Sequence, residues 1–119
     1  MTRQLSGKIT IAPQVLTTIV EQTALDTTGV HALGPRPPRI RDAEGRRAVG
    51  AGAEAVVQDN TVVVAVSVMA DPDVNMLALA ETLQRDIAGN IEHILGMKVA
   101  RVDVYIGEVV FSEETLERS

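Results

Sequence analysis

Apolar and polar positions alternate along the chain in short segments, each with its own period. Lys8-Ile9-Thr10-Ile11 alternates with period two, which predicts a short half-buried strand. Pro13 then suits the first turn of a helix, where a missing N–H has no intrahelical partner to lose. Val15, Leu16, Ile19, Val20 and Ala24 recur at helical spacing and predict an amphipathic helix from about Pro13 to Thr28, with Gly29 as its left-handed stop. Val30–Leu33 reads as a short extended piece. Ala53–Gln58 and Thr61–Met69 read as strands joined by Asp59-Asn60, two residues that tolerate the positive φ of a hairpin turn. In the second strand Val62, Val64, Val66 and Val68 form a continuous face aimed at the core. Val63, Ala65, Ser67 and Met69 form the other face, which is small and expected to be lightly covered.

Asp71-Pro72-Asp73 predicts the start of a second helix, with carboxylates near its positive end. Met76, Ala80, Leu83, Ile87, Ile91 and Ile94 then step by three or four residues as a core stripe that ends at Gly96. A last strand is predicted from Val99 to Ile106. Val102, Val104 and Ile106 face in; Arg101, Asp103 and Tyr105 face out. The order strand-helix-strand-strand-helix-strand predicts an α+β fold, a two-layer sandwich with two helices on one face of a small, mostly antiparallel sheet. The 119 residues suit a single domain. Within it, Gly34–Gly52 holds three Pro, four Gly and five Arg, and is expected to be a flexible basic loop.

Charge and composition narrow the function classes. The chain carries a net charge of −5. The 34–52 loop, with its five Arg against Asp42 and Glu44, is basic, so the rest is more acidic still. A free-standing nucleic-acid binder is usually basic, so the charge counts against that role. Tyr105 and Phe111 are the only aromatics, and the strand 61–69 has none on which a base could stack. With no Cys there is no disulfide scaffold, zinc ribbon or thiol nucleophile. His31 and His93 stand outside any H-x-x-x-H spacing, and no G-x-S-x-G or phosphate-binding loop is present. No catalytic, cofactor-binding or metal-ligating residue is therefore assigned, and the expectation is a non-enzyme. No apolar run approaches the ~20 residues of a spanning helix, and the N-terminal residues have no signal-type apolar core, so the cytoplasm is the default expectation.

What remains are candidate contact residues. Arg36, Arg39, Arg41, Arg46 and Arg47 either keep a solvated linker extended or form an arm that docks on an acidic partner or an anionic membrane surface. Glu108-Val109-Val110-Phe111 either extends the last strand into the core or presents Phe111 as an exposed anchor. Tyr105, in the same strand, is the other conspicuous aromatic.

Three stretches taken in order resemble the alkaline shock protein family of bacterial envelope stress response proteins. They are Gly7-Lys8-Ile9-Thr10-Ile11-Ala12-Pro13 with its helix and Gly29-Val30, the Val-rich strand 61–69 with the helix after it, and the run from Val99 through Tyr105-Ile106-Gly107-Glu108 to Val109-Val110-Phe111. The resemblance covers about Gly7 to Phe111. It implies a non-enzymatic cytoplasmic protein of the cell-wall stress response, without cofactor. It further implies a protein-interaction or self-assembly module near the membrane, with a membrane-anchored protein as partner and a homo-oligomer as a further expectation. Two alternatives stand beside it: a regulatory small-ligand-binding domain linked to lipid metabolism, and weak nucleic-acid binding through the Arg-rich loop.

Overall fold

A computed structural model describes residues 6–108. In chain order its elements are α1 (Pro13–Leu25), β1 (Val30–Leu33), β2 (Arg46–Val49), β3 (Ala53–Gln58), β4 (Thr61–Ala70), α2 (Met76–Leu95) and β5 (Lys98–Glu108). The valine-rich β4 is the middle of the sheet. One of its edges pairs in parallel with β5 along the whole of Thr61–Ala70. Its other edge pairs antiparallel with β3 over 61–66, and β1 takes over that same edge at Val68–Ala70. β1 and β3 therefore lie end to end. Their junction is Ser67, whose carbonyl accepts from the Gly34 N–H at 2.8 Å and whose N–H donates to the Gly52 carbonyl at 2.9 Å. A Cβ on Gly34 would strike the Ser67 hydroxyl, so a larger residue there would force that side chain to shift. β2 pairs antiparallel with β3 and completes the order β2-β3-β4-β5.

Period-two alternation sorts these strands by face. Ala53, Ala55 and Val57 of β3 and Val62, Val64, Val66 and Val68 of β4 point to the helices. There they meet Leu16, Val20 and Ala24 from α1 and Leu79, Leu83, Ile87 and Ile91 from α2. The helical residues recur four apart, which is one stripe on each helix. Alanines on β3 let α1 settle close over that half of the sheet, while α2 covers β5 and packs against α1. The β4–α2–β5 passage is the crossover that a parallel pair requires. The α+β class, with two helices on one face of a mostly antiparallel sheet, agrees with the expectation from the sequence.

Several details differ. Lys8–Ile11 is not a strand but an irregular lead-in to α1. Ile9 is 91% exposed and only Ile11 packs against the core, and the segment forms no ladder with any described strand. The observed order thus begins with a helix, and Val30–Leu33 is a true strand because the β4 edge beyond β3 is free to receive it. α1 ends at Leu25, before Gly29. α2 starts later than Asp71-Pro72-Asp73: Asp73 has φ 66, which no helix tolerates, and Asn75 is the N-cap, accepting the Ala78 N–H at 2.9 Å. The buried stripe accordingly begins at Leu79, and Met76 and Ile94 are exposed. Gly96, with φ 68, caps the C-terminus as expected. The 34–52 segment is not loop throughout, since Arg46–Val49 forms β2.

Leu83 is fully buried between α2 and the sheet, whereas Leu77 on the same helix is exposed. Leu83→Ala should lower unfolding stability by about 2–5 kcal/mol, while Leu77→Ala should stay within roughly 0.5 kcal/mol of wild type. Urea denaturation of the two variants measures both; equal losses would contradict the assignment of the buried stripe.

Candidate functional site: an arginine strap across the sheet

The sheet face turned away from the helices carries Glu54 and Val56 from β3 and Val63 and Ala65 from β4. Residues 34–45 cross this face as a strap. Ile40, buried, sits on Val56 and Ala65, with Ala43 and Val63 packed at the side. Pro37 is buried as well. The lightly covered second face expected for β4 is therefore sealed by the chain's own Pro/Arg segment.

Glu54 is 2% exposed, and a lone carboxylate so placed would be costly. The strap and β2 satisfy it. The Ile40 N–H donates to Oε1 at 2.9 Å, and the Arg47 guanidinium pairs with Oε2. The same guanidinium donates to the Ile40 carbonyl at 3.0 Å and the Ala43 carbonyl at 3.4 Å, so one arginine holds both the carboxylate and the strap backbone. Among the described residues no buried side-chain polar atom lacks a partner. Gly45, at φ 150, makes the turn from strap to β2, where a Cβ would strike the Val57 carbonyl.

A second clasp lies over β5. The Arg101 guanidinium donates to both Asp42 oxygens at 2.7 and 2.8 Å, and its Nε donates to Asp103 at 2.9 Å. Hydrogen bonding from Arg101 outweighs partial desolvation and holds the Asp42 carboxyl below the usual carboxylate range. Hydrogen bonds to Asp42 and then Asp103 raise the Arg101 pKa in turn.

The five loop arginines thus have different positions. Arg47 is part of the internal clasp. Arg46 is exposed and donates to the Ile11 carbonyl at 3.2 Å, tying the segment before α1 to β2. Arg36, Arg39 and Arg41 are exposed on the strap and form no ion pair with another described residue. Tyr105, 41% exposed, lines an open cleft together with Arg39 and Arg41, bounded by Arg101 and by Gln84 of α2. Arg36 does not line this cleft. Phe111 lies outside the described residues. Sequence reasoning missed Glu54, Asp42 and Arg101. The one available signal was a glutamate inside the apolar run Ala53-Glu54-Ala55-Val56-Val57, since a carboxylate in a covered strand needs a cation nearby. Among the described residues no group of three or more His, Asp or Glu is placed to hold a metal ion. No helix among them is long and apolar enough to cross a membrane.

Fold and strap define an α+β domain whose helices cover one sheet face and whose own basic segment covers the other. Solved structures of the MamM CTD share this fold. A substituted form, titled as a zinc form, superposes with a TM-score of 0.56 at 12% identity, covering 83% of this chain and 88% of that one. A second substituted form gives 0.56 at 12% identity, over 82% of this chain and 95% of its own. At that identity the likeness is one of fold. No curated protein matches the chain. The family model of alkaline shock protein 23, described as having a cell envelope-related function, matches residues 1–111, and the chain belongs to that family.

Glu54→Ala leaves the Ile40 N–H and Arg47 without their acceptor and should cost about 1–3 kcal/mol, with Glu54→Gln costing less because it keeps one acceptor. Chemical denaturation of both variants checks the order. Because the folded Asp42 carboxyl is held below its unfolded value of about 3.9, its clasp stabilises the fold above that pH. The contribution falls away as pH drops through the lower, folded value. An NMR titration of Asp42 should show a midpoint under the ordinary aspartate range, returning to it in Arg101→Gln.

Proposed function

We propose that this chain is a non-catalytic protein-interaction module of the cell envelope stress response, acting close to the membrane, and that the outer face of its strap is the docking surface. Membership of a cell envelope-related family supports the setting. The observation that carries the docking surface is the division of charge on the strap. Asp42 and Asp103 share Arg101 as their partner, which leaves that trio one net negative charge, and Glu54 is paired with Arg47. Arg36, Arg39 and Arg41 are left exposed without an ion pair among the described residues, with Tyr105 beside two of them. A backbone that is already fastened loses little further entropy on binding, and the exposed guanidinia present planar forks suited to carboxylates. The surface therefore suits an acidic segment of a protein held at the envelope.

The test compares wild type with an Arg36→Ser, Arg39→Ser, Arg41→Ser variant in cells under cell-wall stress. Crosslinking should join the wild type to a membrane-anchored protein, in a salt-sensitive manner, and the triple variant should lose that adduct while keeping its thermal stability. Undiminished crosslinking of the same protein by the variant would reject the strap face as the docking surface.

A further inference from the structure

β5 is an eleven-residue strand that pairs, among the described residues, with β4 alone. Its other edge shows which main-chain groups look outward. The Val99 N–H donates to Glu92 Oε2 at 3.5 Å, and the Val102 carbonyl accepts from Gln84 Nε2 at 3.2 Å. In a strand, the N–H and C=O of one residue face the same edge, and alternate residues face alternate edges. Val99 and Val102 are three apart rather than two because the register against β4 slips by one residue between them, at Ala100. The outward set therefore continues at Val104 and Ile106. No described side chain hydrogen-bonds to the main chain of either residue, so the edge is capped in its first half and open in its second.

The two walls of this edge differ in chemistry. On the strap side stand Arg39, Arg41 and Tyr105, with the local acids already paired to Arg101. On the α2 side, Ala88 lines a shallow groove with Val99 and Val102, which adjoins the capped half of the edge and extends to just before Val104. We propose that the open edge of β5 takes up an extended acidic peptide segment as an added strand. Its main chain pairs with Val104 and Ile106, its carboxylates lie toward Arg39 and Arg41, and its alternate small apolar side chains lie toward α2. Charge complementarity selects the occupant: the strap wall offers cations without counterions, and a strand's period of two puts every second side chain on that wall. The proposal rests on the strap face being the docking surface and adds the mode of docking and the chemistry of the docked segment.

The probe is a short peptide alternating Glu and Val, added to the full chain and followed by fluorescence anisotropy and by the amide signals of Val104 and Ile106. Two further peptides carry N-methyl groups, one on every Val and the other on every Glu. In an added strand only one of these sets of amides faces β5, so one methylated form should lose binding and the other keep it. Arg39→Glu with Arg41→Glu should weaken the parent peptide by roughly tenfold. Equal behaviour of the two methylated forms overturns strand addition while leaving a docked acidic segment intact. No binding of the parent peptide overturns strand addition too, and the crosslinking comparison then decides the docking surface independently. Protection of the Val104 and Ile106 amides that grows with protein concentration assigns the edge to a second copy and also overturns the proposal.

Discussion

A buried carboxylate organises the far side of this molecule. Glu54 sits at 2% exposure on a sheet face that would otherwise be apolar, and ionised it is tolerable only while Ile40 and Arg47 satisfy it. That requirement draws a main-chain N–H from the strap and a guanidinium from β2 to one point. Once there, Arg47 also holds the Ile40 and Ala43 carbonyls, and Ile40 closes over Val56 and Ala65. The polar clasp fixes where the strap crosses, and the apolar contact beneath it contributes burial. Neither would place the twelve residues by itself, because fixing each backbone costs entropy, a cost that Pro35, Pro37 and Pro38 reduce but do not remove.

The second consequence is a separation of charges. A segment with five arginines looks uniformly basic, yet the fold uses two of them internally: Arg47 on Glu54, and Arg46 on the Ile11 carbonyl. A sixth arginine from β5, Arg101, neutralises the strap's own Asp42. Arg36, Arg39 and Arg41 remain exposed on the strap without an ion pair among the described residues, and the strap main chain at Ile40 and Ala43 is fastened.

Much of the fold was legible because burial leaves a period in the sequence. The valines of β4, the stripe Leu83-Ile87-Ile91 and the inward set Val102-Val104-Ile106 all reported their element and face correctly. Errors arose where local chemistry had two outlets. Lys8–Ile11 alternates as a strand does, but it forms no ladder with any described strand, and β2 reaches it only through the Arg46 side chain. Asp71-Pro72-Asp73 has the residues of a helix start and forms a turn, the cap passing to Asn75. Of the candidate contact residues, Arg39, Arg41 and Tyr105 share a cleft, and Arg47 does not face solvent with them.

The sequence by itself determined the α+β class, the two helices, the hairpin of β3 and β4, and which faces of β4 and β5 meet the core, since period and turn residues are local properties. Only the tertiary structure decided that the basic segment lies across the sheet, that Glu54 is the residue that holds it, and which arginines remain available. Those outcomes depend on pairing groups far apart in the chain, such as Asp42 with Arg101 and Ile40 with Glu54. Such pairing carries no period, because it follows from where folding brings a buried charge and the donors that satisfy it.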